Sequence, residues 1–170
     1  MDLTYREIWA LIHGLLIGGP LLLAFAGALV ALAGLRSEYL TADGIDGRVK
    51  QLRIGTCVMA AMAWAIVLIG VWVLLPWYGE DTPGSPRSRL LADPSTRQWH
   101  EFADVWKTHV AFLSPILATA AATLVAYYGA NLARDRTVRN IVLALLLVAF
   151  TVASLAALIG SLVTRAAPLR

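Results

Sequence analysis

Four apolar runs, each long enough to cross a bilayer, constrain this chain more than any other feature. A helix needs about 20 consecutive apolar residues to cross the hydrocarbon core. The charged share of 15% is also well below the roughly 25% of soluble domains. We therefore predict an all-α integral membrane protein, in which residues 1–170 form a single transmembrane domain folded as an up-down four-helix bundle. The predicted spans cover residues 8–35, 54–78, 105–129 and 140–163.

The distribution of Lys and Arg predicts the orientation of the bundle. Each side of a four-span arrangement carries seven of the 14 basic residues. Those in the short connections 36–53 and 130–139 lie close to the helix ends, where the positive-inside effect operates. We expect a multi-pass protein of the bacterial inner membrane, with both termini and the long loop 79–104 outside. The small net charge of +3 belongs to the loops, which points to orientation in a lipid bilayer and not to nucleic acid.

The same predicted outer boundary carries a belt of aromatic residues, which is typical of membrane–water interfaces. Its members are Tyr5, Trp9, Trp77, Tyr78, Trp99, Phe102 and Trp106. Within the long loop, Asp93-Pro94 has the pattern of a helix N-cap followed by proline at the first helical position. We therefore expect the third helix to begin near Pro94, outside the membrane, and to run inward without a break.

Two segments at this boundary resemble each other. YREIWALIH (Tyr5–His13) and FADVWKTH (Phe102–His109) both have an aromatic residue, an acid, a Trp and then a His, and a proline follows about two turns later. One interpretation is that two duplicated helical hairpins form the bundle, related by an axis along the membrane normal. The other is that two helices starting at one interface share its residue preferences. The sequence leaves both open.

His13 and His109 are the candidate metal ligands. They lie at similar predicted depths on the first and third helices, which are diagonal in an up-down bundle. Ionisable residues inside spans usually face the bundle interior. Two neutral imidazoles that approach one object from opposite sides suit axial ligation of a haem iron. The competing interpretations are a hydrogen-bonded interhelical network and a copper or zinc site, and the soft ligands Met59, Met62 and Cys57 lie at the wrong depth for the latter.

Other residues near the two histidines would complete a haem site. Trp106 falls on the same helical stripe as His109, while Arg6, Lys107 and Arg97 lie at the polar end, where haem propionates would accept charge-assisted hydrogen bonds. His100 precedes His109 by nine residues, so the two point in opposite directions if the helix is continuous. His100 is then a surface residue or a hydrogen-bond partner, and a ligand only if the helix breaks.

Four spans in a short chain, with outer-side histidines on helices one and three, resemble the small four-helix membrane b-type cytochromes of bacteria. The resemblance covers the architecture, His13, His109 and the aromatic belt. It implies a haem b that transfers electrons among quinols, periplasmic carriers and partner subunits. Many members hold two haems with four histidines, and because this chain lacks a second pair we expect one. The alternative function is a cofactor-free accessory or scaffold subunit of a membrane complex.

Overall fold

A computed structural model describes residues 4–36, 40–105 and 109–166, and it confirms the all-α bundle. Four long helices have the length and apolar composition to cross a membrane: α1 (Tyr5–Ala33), α2 (Ala42–Tyr78), α5 (Leu113–Tyr128, extended by a 3-10 turn Gly129–Ala133) and α6 (Arg136–Ala166). Two short helices, α3 (Pro86–Ala92) and α4 (Pro94–Val105), lie between α2 and α5. The chain is therefore a multi-pass membrane protein whose surface contacts the lipid bilayer.

The helices pack in chain order, α1 along α2, α2 along α5 and α5 along α6. The ring closes more briefly between α1 and α6, where the rings of Phe25 and Phe150 stack with their centroids 4.0 Å apart. Much of the core consists of alanines, which allow transmembrane helices to approach closely. The buried alanines of this core are Ala28, Ala31, Ala60, Ala63, Ala118, Ala121, Ala133 and Ala149.

The long connection between α2 and α5 is more ordered than its sequence suggested. Residues 79–105, which we call the cap, hold α3 and α4 and bury Leu90 and Ala103 against Ile159 of α6. Helix α4 begins at Pro94, as predicted. The hydroxyl and the backbone N–H of Ser95 both donate to Asp93 Oδ1, and these two bonds hold the pKa of Asp93 below its usual range.

The prediction of an unbroken third helix was wrong. Helix α4 ends at Val105, residues 109–110 form a π-helical turn, and α5 begins only at Leu113. Pro115 supplies the physical reason. It has no N–H to donate to the Ala111 carbonyl four residues earlier, and its ring clashes with that carbonyl in a continuous helix. A proline is well tolerated in the first turn of a helix, which is where the new start at Leu113 places it.

The two hairpins share one feature that a duplication would produce. His13 and His109 each lie in a π-helical turn near the start of their hairpin. They differ in continuity, because α1 runs unbroken from Tyr5 to Ala33 while α4 and α5 are separate helices. The duplication therefore stays a prediction.

At the bundle end opposite the cap, which we call the arginine end, Arg139 joins three helices. Its Nη1 donates to the carbonyls of Leu35, Leu132 and Ala133 at 3.1, 3.3 and 3.2 Å. The last carbonyls of a helix have no partner within the helix and need an outside donor. One guanidinium of α6 therefore donates hydrogen bonds to carbonyls at the C-terminal ends of both α1 and α5.

Two arginines of α2 also lie at helix ends, and one of them donates to a carbonyl there. Arg53 Nη2 donates to the Ala126 carbonyl at 3.2 Å, near the end of α5. That helix ends at Gly129 with a φ of +49°, a backbone region that favours glycine, and a Cβ there would lie 3.0 Å from Arg53 Nη2. The Arg48 guanidinium packs against Gly34, at the end of α1, where a Cβ would lie only 2.5 Å from it.

We expect Arg139→Met to lower the free energy of unfolding by about 2 kcal/mol or more, because it leaves partly buried carbonyls without a donor. Unfolding of the purified chain in detergent micelles, followed by circular dichroism, measures the change. The matched control is Arg136→Met, which removes an exposed arginine of the same helix. Equal stability of the two variants would contradict the role assigned to Arg139.

Candidate functional site

Between the bundle core and the cap lies a layer in which none of the described side chains is fully buried, and we call it the open layer. The core ends at Leu21 on α1 and Ser114 on α5, and burial resumes at Tyr78 and Ile159 below the cap. Along α2 the layer is about 14 Å deep, at 1.5 Å per residue. In this layer the described side chains are partly buried or exposed, so it differs from the fully buried core on one side and from the cap cluster on the other. The open layer comprises residues 5–20, 68–77, 109–113 and 153–158.

The open layer is also where three helical segments depart from α geometry. The π-helical turns are Ile12–Ile17 on α1, Gly70–Leu74 on α2 and residues 109–110 before α5. π-Helical turns are rare and occur frequently at functional sites. The first contains His13 and the third contains His109, so both predicted ligands lie at such turns.

His13 enters the interior of the bundle beside a glycine of α2. Its imidazole is partly buried, Nδ1 is out of contact with solvent, and Cε1 lies 3.6 Å from where a Cβ on Gly70 would stand. Because Gly70 has no side chain, α2 can lie directly against the ring. His109 differs, since it is exposed at the start of the third transmembrane segment. The structure therefore puts both histidines in the open layer, with different degrees of burial.

The other predicted site residues have separate surroundings. Arg6 Nη2 donates to both carboxylate oxygens of Glu80, at 3.0 and 2.8 Å, and its guanidinium lies 5.3 Å from the ring centroid of Trp77. This ion pair is exposed, and such pairs contribute about 0–1 kcal/mol. Arg97 is exposed and donates to the Leu91 carbonyl at 3.5 Å, within the cap.

Trp106 and Lys107, the remaining two predicted site residues, lie outside the described residues. Their roles beside His109 stay predictions. Among the described contacts, Arg6 joins α1 to the segment that follows α2, through its ion pair with Glu80.

His100 is a hydrogen-bond partner, one of the two roles predicted for it. Its Nδ1 lies 2.6 Å from the Tyr78 hydroxyl, and the two rings stack with centroids 5.7 Å apart. Tyr78 is only 5% exposed, although it closes an apolar span. Tyr78 and His100 are 22 positions apart, and no local sequence pattern predicts a hydrogen bond between them.

Two cavities bracket the open layer. The lower one, of about 10 Å³, lies in the core beside Leu21 and Ser114 and has room for about one water molecule. The upper one, of about 290 Å³, lies under the cap beside Tyr78 and His100. Neither His13 nor His109 lines either cavity.

The donor set of the open layer favours one kind of metal centre. Among residues 4–36, 40–105 and 109–166, no group of three or more His, Cys, Asp or Glu side chains is placed to hold a metal ion. Zinc sites generally use three or four protein ligands. Two imidazoles suit a metal whose equatorial positions are filled by a macrocycle, which is the donor set of a bis-histidine haem. The side chains present therefore fit that group in chemistry.

Comparison of the chain with protein-family models, with curated proteins and with solved structures finds no match. Its function is therefore inferred from the residues of the open layer and the cap.

We expect Tyr78→Phe to lower the free energy of unfolding by about 1 kcal/mol, because His100 loses a short hydrogen bond in a partly buried place. The measurement is denaturant unfolding in detergent micelles, with tryptophan fluorescence as the signal. Tyr127→Phe is the matched control, since Tyr127 is 82% exposed and its hydroxyl makes no hydrogen bond with any described residue. If both variants unfold like the wild type, the Tyr78–His100 bond does not stabilise the cap.

Proposed function

We propose that this protein is an electron-transfer protein or subunit that holds one haem b in the open layer, with His13 and His109 as axial ligands. One observation carries the proposal: the core stops at the layer where both histidines lie, and each histidine sits in a π-helical turn. Two imidazoles from different helices in one layer between the core and the cap would suit a flat metal macrocycle.

The chain's own residues have distinct parts in this proposal. His13, packed against Gly70, would form the buried side of the site, and His109 would form the side nearer the surface. Histidine ligands hold haem iron through a neutral imidazole nitrogen. Haem, when bound, supplies reversible one-electron chemistry. The exposed pair of Arg6 and Glu80 lies at the cap end, where Arg6 would be shared with a propionate.

The proposed role is transfer of electrons and not chemistry on a bound substrate. Outside the four long helices, the described chain offers little more than the cap of residues 79–105. The electron partners would be other membrane subunits, a periplasmic carrier or a quinone. Because His109 is exposed, an electron would have a short path from the haem to the surface there. The edge beside His109 is therefore the proposed point of electron exchange with a partner.

The proposed location is the bacterial inner membrane, with both termini and the cap on the outer side. The basic residues of the short connections support this orientation. Arg53 and Arg139 also bind carbonyls at helix ends, so the same charges serve both the fold and the orientation.

Cysteine labelling in intact cells tests this topology. In a Cys57→Ser background, we expect an impermeant maleimide to label Thr82→Cys in the cap directly, and Asp43→Cys at the arginine end only after permeabilisation, because the bilayer blocks the reagent. Thr82 and Asp43 are both exposed, so each substitution leaves the packing unchanged. The reverse labelling pattern would invert the orientation and place the proposed haem on the inner side.

Optical spectroscopy of the purified chain tests the haem and its ligands. We expect the dithionite-reduced wild type to show a sharp b-type α-band, and His13→Ala and His109→Ala each to lose it or to shift it with a loss of bound haem, because each removes an axial ligand. His100→Gln is the matched histidine control and should keep the band, since His100 lines the pocket under the cap and lies outside the open layer.

Two results would contradict this proposal at different points. A folded wild-type protein without a b-type absorption band would contradict the haem proposal and favour the cofactor-free accessory role. A band that persists in both His13→Ala and His109→Ala would keep the haem but reject these ligands.

A further inference from the structure

A polar pocket lies where α2 ends and the cap begins. Its volume is about 290 Å³, near the lower end of the roughly 300–1,000 Å³ of ligand sites. The second candidate membrane helix ends at Tyr78, so this pocket lies at the end of a span, where lipid headgroups would meet the protein. Its lining residues are Leu75, Tyr78, Gly79, Arg87, His100 and Asp104.

The inner wall of this pocket is fixed in place. Tyr78 is almost fully buried, and its hydroxyl lies 2.6 Å from His100 Nδ1. The cap cluster of Leu90, Ala103 and Ile159 packs around Tyr78 and holds the cap against the ends of α2 and α6. A ligand entering here would therefore meet a preformed surface, which reduces the ordering that binding requires.

Opposite charges from two different helices line the same pocket. Arg87 comes from α3 and Asp104 from α4. Arg87 forms no ion pair or hydrogen bond with any other residue in the ranges 4–36, 40–105 and 109–166. Its guanidinium is thus available to an anion from outside the chain.

We propose that this pocket binds the headgroup of an aminophospholipid, a lipid with a phosphate and a primary ammonium such as phosphatidylethanolamine. Arg87 would donate to the phosphate, and Asp104 would accept from the ammonium. The acyl chains would leave the pocket along α2, past Leu75 and toward Trp72, which is 72% exposed three residues earlier. This inference stands independently of the haem, because it uses the cap and not the histidines of the open layer.

The two opposite charges that line the pocket predict which lipids it prefers. Phosphatidylglycerol offers the phosphate to Arg87 but has no cation for Asp104. Phosphatidylcholine has a cation without N–H donors, so it cannot form a charge-assisted hydrogen bond with Asp104. Phosphatidylethanolamine alone among these three offers both a phosphate to Arg87 and N–H donors to Asp104, and we expect it to bind about tenfold more tightly than either.

The experiment uses the full chain, purified and delipidated in detergent. Phosphatidylethanolamine, phosphatidylglycerol or phosphatidylcholine is titrated in as mixed micelles. Lipid retained per chain is measured by native mass spectrometry, and the melting temperature by scanning fluorimetry. We expect phosphatidylethanolamine to be retained at one molecule per chain and to give the largest rise in melting temperature. Equal retention of all three lipids would overturn the proposal.

Variants separate the roles of the two charges. Asp104→Asn should remove the preference for phosphatidylethanolamine over phosphatidylglycerol, and Arg87→Gln should weaken binding of both by about tenfold. The matched controls are Glu101→Gln on α4 and Arg89→Gln on α3, exposed residues that do not line the pocket and should bind like the wild type. Loss of selectivity in the controls as well would show a general charge effect and reject the site.

Soluble headgroup analogues distinguish a lipid from a free anion. Phosphoethanolamine and inorganic phosphate carry the polar chemistry without the acyl chains. We expect either to shift the melting temperature far less than the lipid at equal concentration, because each lacks the apolar contacts with α2. If phosphoethanolamine alone matches the lipid, the pocket belongs to a soluble ligand and the lipid proposal is wrong.

Discussion

The bundle depends on hydrogen bonds at its helix ends, because the last carbonyls of each helix need donors from elsewhere in the protein. Arg139 meets that demand with three bonds, to Leu35, Leu132 and Ala133, and Arg53 adds a fourth at Ala126. Both arginines belong to helices that start at this end and bind helices that finish there. A cation near a helix C-terminus also interacts favourably with the helix dipole. The arginine end therefore joins four helices through polar contacts that lipid cannot replace.

Because one end is held in this way, the other can remain incompletely packed. The alanine-rich core runs from the arginine end up to Leu21 and Ser114 and then stops, and burial resumes only where Tyr78 meets the cap. A layer without buried side chains forfeits dispersion contacts and hydrophobic burial. The cost is understandable if the layer serves a bound group, and the cap then closes the bundle above it.

Local rules account for much of what could be predicted. The four spans follow from apolar run length, and the start of α4 follows from Asp93-Pro94, because both depend on neighbouring residues only. The break before α5 was not predicted from Pro115, because a proline can either kink a continuous helix or lie in the first turn of a new one. The Tyr78–His100 bond was out of reach, because it joins residues whose proximity depends on how the cap folds back over α2.

The sequence by itself determined that this chain is a four-span helical membrane protein with an ionisable residue at each of two matching positions, His13 and His109. Those properties follow from composition and order along the chain, which act before any helix meets another. Only the tertiary structure decided that the core ends at the level of these histidines, that Gly70 lies against His13, and that Arg87 and Asp104 share one pocket. Such facts depend on which side chains from distant segments come to lie within a few ångströms, and packing alone settles that.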